Sequence, residues 1–260
     1  MWKTAQIKER CFCAAALRFF PLFAVLLATS ANADATLKVG VRADAPPCVF
    51  KDYENKLIGY DIDVLQEIGT RLAKKIDIYT ISWDQKTEAL DSRKIDVIAG
   101  ALTVTDKRKK NYAYTIPIAS DCHIAVVAIS SPIQHIADLG GKKICLMQGA
   151  TAIEVMQNFQ TAKGEKVTLQ PAPSIEDCLL RLETGEIEIA VIDGSIADYY
   201  INHNPKQFRT LPEKLSERQT AFGLRKNETA LRDQFDKALT DMENDGTMKT
   251  IRERWFGKDK

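Results

Sequence analysis

The stretch from Ile95 to Arg108, IDVIAGALTVTDKR, decides how the chain is read. Ile95 to Ala99 is a short apolar run closed by Gly100, which suits a strand buried in a parallel sheet. It opens into small and hydroxylated residues, Ala101, Thr103 and Thr105, and then into the cations Lys107, Arg108, Lys109 and Lys110. In open α/β sheets ligands bind beyond the carboxyl ends of the strands. A buried strand that ends in hydroxyls and cations therefore marks either a solvated loop or a seat for an anion.

The same alternation extends outward. Upstream, TLKVGVRA (Thr36 to Ala43) reads as a strand that ends at Pro46-Pro47. Ile62, Leu65, Ile68 and Leu72 stand at helical spacing, and Ile76 to Trp83 alternates as a strand before a short helix, DQKTEALDSRK. Strand, helix, strand, helix, strand implies a parallel sheet with helical crossovers. Downstream the order repeats: KKICLMQG, ATAIEVMQNFQTA, KVTLQPA, SIEDCLLRLETG, IEIAVIDG and SIADYYINH. Between the two units, CHIAVVAIS (Cys122 to Ser130) suits a crossover strand, and RQTAFGLRK suits the return. A helix from Asn227, as its cap, to Gly246 and a last one in TMKTIRERWFG are expected to pack on the first unit. The expected fold is therefore α/β with two lobes, each a mostly parallel sheet flanked by helices, joined by two hinge strands. Residues 34–124 and 221–260 would form lobe 1 and residues 125–220 lobe 2, with a ligand cleft between them.

The chain has 260 residues and a net charge of +1. Residues 1–33 read as a cleaved secretory signal: Lys3, Lys8 and Arg10, then an apolar run, then Ala31-Asn32-Ala33. That run is shorter than the roughly 20 apolar residues of a membrane span. Without this segment the charge is −2, which argues against nucleic acid or a polybasic membrane contact. Cys48, Cys122, Cys145 and Cys178 remain, as disulfides or as buried thiols, with the pairing open. No Cys/His spacing suggests a metal, no cofactor is expected, and His123, His135 and His203 read as packing or surface residues.

The segments IGYDIDVLQEI, KIDVIAGALTVTDKR, MQGATAIE, AVIDGSIADYY and DGTMKTIRERWFG occur in this order. Together they resemble the family 3 extracellular solute-binding proteins, the periplasmic components of polar amino-acid ABC importers. The resemblance covers residues 36 to 257. It implies a type II periplasmic binding fold, a monomer that closes on one free amino acid and hands it to an inner-membrane permease, and no enzymatic activity. VGVRADAPP and the cysteine content are most similar to cystine-binding members.

A buried amino-acid zwitterion needs donors for its carboxylate and an acceptor for its ammonium. The resemblance assigns the carboxylate to Arg108, whose planar fork can grip it with two hydrogen bonds, and to Thr103. Gly149, Ala150 and Thr151, at the start of a helix, add N–H groups and a hydroxyl. Asp193 and the carbonyl of Gly100 would receive the ammonium. Trp83 would stack on the side chain, with Ala101 and Met147 beside it. Binders of cationic amino acids carry an aspartate where Arg42 stands, an aromatic at Ala45 and a phenylalanine at Cys48. Arg42 would repel a cationic side chain and could pair with a distal carboxylate, while Asp44 could take a distal ammonium. A long ligand such as cystine, glutamate or glutamine fits this best, with an arginine-type binder as the other choice within the family. A dehydratase acting on prephenate or arogenate would need an acid/base carboxylate in the cleft, for which Glu154 is the candidate. A sensory module on the same fold is the third class.

Overall fold

The computed structural model describes residues 36–160 and 164–257. The signal-peptide reading, with Cys11 and Cys13, lies outside them. Strand β1 (Leu37–Val41) is followed by a small three-stranded sheet of β2 (Asp44–Ala45), β3 (Val49–Lys51) and β4 (Leu57–Ile58). Next come α1 (Tyr60–Leu72), β5 (Ile76–Thr80), a 3-10 turn at Trp83–Gln85, α2 (Lys86–Asp91) and β6 (Val97–Ala99). The short helix α3 (Asp106–Lys109) and β7 (Tyr112–Tyr114) lead into the long strand β8 (Ala119–Ala128). The second half runs β9 (Lys143–Met147), α4 (Ala152–Gln157), β10 (Thr168–Ala172), α5 (Ile175–Glu183), β11 (Ile189–Asp193) and α6 (Gly194–His203). It closes with β12 (Phe208–Thr220), β13 (Gly223–Arg225), α7 (Thr229–Asn244) and α8 (Thr247–Phe256).

Two five-stranded sheets result, one in each lobe. The first has the order β5-β1-β6-β13-β7, with β1 parallel to β5 and β6 and β13 antiparallel to β6 and β7. The second has the order β10-β9-β11-β8-β12, with the same division between parallel and antiparallel pairs. The chain changes sheet between β7 and β8 and again between β12 and β13. The two crossing strands, β8 and β12, are paired with each other from Ala119–Thr220 to Ala128–Phe208.

Burial follows the periodicities. Ile62, Leu65 and Ile68 of α1 join Val39 and Val41 in a core that also takes Phe235 and Leu239 of α7 and Met248 of α8. The C-terminal helices therefore complete the first lobe. A second cluster holds Trp83, Ile98 and Leu102 of the first lobe together with Met147, Cys145 and Ile192 of the second, so the lobes meet in apolar contact. Cys145 and Cys178 form a disulfide between β9 and α5, and Cys48 and Cys122 are buried free thiols. One local expectation needs correcting: helix α7 starts behind Glu228 rather than under a cap from Asn227. Gly246, with φ 83°, takes the expected left-handed position after α7 and also leads into α8. No helix among the described residues is long and apolar enough to cross a membrane.

Candidate functional site

The opening stretch turns sharply after β6. Gly100 has φ 101° and Ala101 φ 55°, and both backbone N–H groups donate to Oδ2 of Asp61, at 2.8 and 3.0 Å. A Cβ on Gly100 would lie 3.0 Å from Cγ of Arg42, so only glycine lets this turn and Arg42 approach so closely. Asp61 is fully buried. Burial raises its carboxyl to about 6 even though the two N–H donors pull the other way.

Thr105 caps α3 by accepting the N–H of Arg108 at 3.1 Å, and the Arg108 side chain reaches toward the second lobe. Its Nη1 donates to the carbonyl of Thr103 (3.2 Å) and its Nη2 to the carbonyl of Gly149 (3.0 Å). Both partners are neutral, and burial holds this guanidinium below its ordinary value. Gly149 has φ 75°, and a Cβ there would sit 3.0 Å from Cα of Asp84 across the cleft. Thr151 donates to Oγ of Thr103 at 3.3 Å and contacts Nε2 of His123 at 3.1 Å. Helix α4, behind Thr151, has only six residues.

Asp193 ends β11, directly opposite His123 on β8. Its Oδ1 is 3.1 Å from Nη1 of Arg218 and 3.7 Å from Nε2 of His123. Arg218 also reaches Oδ2 of Asp121 at 3.2 Å and makes a short bond to the hydroxyl of Thr103. Burial works against the Arg218 charge, but Asp193 and Asp121 outweigh it and raise its pKa. Asp193 is thus already neutralised by the chain, and any ligand ammonium has to share it with Arg218.

Around Trp83 lies a second group. Arg42 pairs through Nε with Oδ1 of Asp44 at 2.6 Å, and its Cζ is 5.6 Å from the Trp83 ring centre. Oδ2 of Asp44 accepts the N–H of Ile175 at the start of α5, a bond that ties the two lobes together at 3.1 Å. Burial pushes the Asp44 carboxyl up, but Arg42 and this N–H hold it below its ordinary value. Ala45 packs near Trp83 and Met147, whereas Cys48 faces away, into a different cavity.

The predicted residues come together. Arg108, Thr103, Thr151, Gly149 and Asp193 belong to one hydrogen-bonded set, and Arg42, Asp44 and Trp83 adjoin it. Ala150 borders a cavity of about 320 Å³ shared with Arg108, Gly149 and Thr151. A larger cavity, about 1060 Å³, opens elsewhere, beside β8 and β12, and none of the predicted residues lines it. The residues that sequence reasoning missed are Asp61, Lys86, Asp121, His123 and Arg218. A histidine inside the β-branched run of β8 was the one available signal. Lys86 lay in a charge-rich segment that resembles any solvated helix. No group of residues fit to hold a metal ion occurs among the described residues.

Residues 37–258 match the bacterial extracellular solute-binding proteins, family 3. The chain is 28% identical over 227 residues to the L-cystine-binding protein TcyJ of Escherichia coli K12, covering 86% of this chain and 84% of that one. It is 26% identical to the arginine-binding extracellular protein ArtP of Bacillus subtilis 168, over 86% of this chain and 87% of that one. Among solved structures, an ancestral arginine-binding protein bound to glutamine superposes with a TM-score of 0.80 at 32% identity, covering 86% of this chain and 98% of the other. With the match running from β1 to the residue after Gly257, this chain belongs to the bacterial extracellular solute-binding proteins, family 3.

Proposed function

We propose that this protein binds one free polar amino acid, L-cystine before others, between its lobes in the periplasm and delivers it as a monomer to an ABC import permease. The observation that carries this reading is the continuous set from Asp193 through Arg218 and Thr103 to Arg108 and Thr151, which spans both lobes. Arg108 spends its donors on two carbonyls, so an incoming carboxylate exchanges neutral partners for a charged one, and charge-assisted bonds are roughly twice as strong. Hinge bending along β8 and β12 would let the ligand enter. The resemblance to TcyJ and the pairing of Arg42 with Asp44, able to meet a distal zwitterion, favour cystine. Glu154, the carboxylate a dehydratase would need, is engaged at the surface by Lys107 at 2.6 Å, which supports binding over catalysis.

Titration calorimetry against a panel of polar amino acids, with mass spectrometry of any co-purified ligand, tests the proposal. Saturable heat with L-cystine is expected. Absence of heat with every polar amino acid refutes the reading.

A further inference from the structure

Two cations beside Trp83 have donors to spare. Lys86 is 5% exposed, and its Nζ donates to the carbonyls of Trp83 (2.7 Å) and Gly149 (3.3 Å) while standing 4.9 Å from the Trp83 ring centre. Protonated, as an ammonium, it carries three N–H donors, so one is left over for an anion. Among the described residues Lys86 has no carboxylate partner, and the adjacent Asp84 accepts from the Ser82 hydroxyl instead. Arg42 is 4% exposed, and its Nη2 is buried with no hydrogen-bond partner. Buried charge and buried unmet donors are both costly, and both cations stand beside one ring, so the place suits a group that meets them.

A purely structural role for Lys86, tying the Trp83 turn to the Gly149 turn, accounts for its two bonds. It does not account for the choice of a charged group, nor for the orphan nitrogen of Arg42 near the same ring. Arg108 also donates to the Gly149 carbonyl, so Lys86 shares one neighbour with the proposed seat of the ligand's α-carboxylate and another, the Trp83 ring, with Arg42.

We propose that Lys86 and Arg42 receive a second carboxylate at the far end of the ligand, and that the ligand is therefore an amino acid carrying two carboxylates. This rests on the reading of the cleft as an amino-acid site. L-Cystine and L-glutamate belong to the class. L-Arginine is repelled by the same pair, and L-glutamine offers it no charge.

Calorimetric titration of the four amino acids into the native protein, Lys86→Met, Lys86→Arg and Arg42→Gln tests the proposal. L-Cystine or L-glutamate should bind at least tenfold tighter than L-glutamine and L-arginine. Lys86→Met and Arg42→Gln should each shrink that ratio about tenfold or more, the loss expected when a charged hydrogen bond is removed, and Lys86→Arg should preserve it. The inference is overturned if L-glutamine or L-arginine binds best, or if Lys86→Met weakens all four alike, which would make Lys86 only a tie between turns. Binding of none of the four while another polar amino acid binds overturns this inference alone, and absence of heat with every polar amino acid overturns the amino-acid reading itself, so the two failures are distinct. Arg42→Gln reads the same ratio should Lys86→Met fail to fold.

Discussion

At the scale of single residues, the cleft separates charges that hold the fold from charges left for a guest. Arg218 is of the first kind. Replacing it with Met strands Asp193 and Asp121 in a buried setting, and removal of one partner from a buried pair costs about 3–5 kcal/mol. Urea denaturation should show that loss. On the proposed reading, Arg108 is of the second kind. Arg108→Ala should abolish amino-acid binding while shifting the apo melting temperature little, because each of its two carbonyl partners keeps another donor, Tyr114 at Thr103 and Lys86 at Gly149. Lys86 adds a pH signature. Burial, with help from Arg108 and Arg42 and against Asp84, lowers its pKa from 10.5 to about 7. Between those two values the unfolded chain holds a proton that the folded chain lacks, so the Lys86 contribution makes stability rise with pH across this window and stay level below it. Denaturation midpoints measured from pH 7 to pH 10 should lose that component in Lys86→Met. Of these three residues only Arg108 was legible in the sequence. Its motif supplied it, whereas Lys86 and Arg218 owe their burial to a lobe contact that no local pattern encodes.

At the scale of elements, legibility tracked length and regularity. The Ile95–Ala99 run became β6, and the spaced apolar residues of α1 became its buried face, because each pattern reports one neighbour surface. Strand β12 was read only from Arg218 onward. Its first ten residues, FRTLPEKLSE, carry a proline and two register irregularities, between Thr210 and Lys214 and between Lys214 and Ser216, so alternation never builds up. Strands β2 to β4 have two or three residues each, too few to show a period. The sequence left the cysteines open, since pairing depends on α5 lying against β9. Their loop, a sequence separation of 33, implies that Cys178→Ala costs about 2–4 kcal/mol, measurable as a lower urea midpoint in oxidised protein only.

At the scale of the whole molecule, the lobes are held closed by a few polar ties: Arg108 and Lys86 to Gly149, and Asp44 to the start of α5. Gly149 is a point of close approach, since a Cβ there would lie 3.0 Å from Cα of Asp84. Gly149→Val places a branched side chain against the Asp84 backbone and forces φ 75° on a residue that resists it. Ligand affinity should fall at least tenfold, and small-angle scattering should show a larger radius of gyration with ligand present than for the native protein. A radius unchanged by the substitution would mean that closure does not pass through this contact.

One arrangement bears on how such a chain is made. The second sheet is drawn from a continuous run, Ala119 to Thr220, but β13 fills the slot between β6 and β7 in the first. A polypeptide emerging from the amino end therefore finishes its later half before its earlier one. Until Gly223 to Arg225 arrive, the early half keeps an open seam along β6 and β7, and only the final seventh or so of the chain zips it shut.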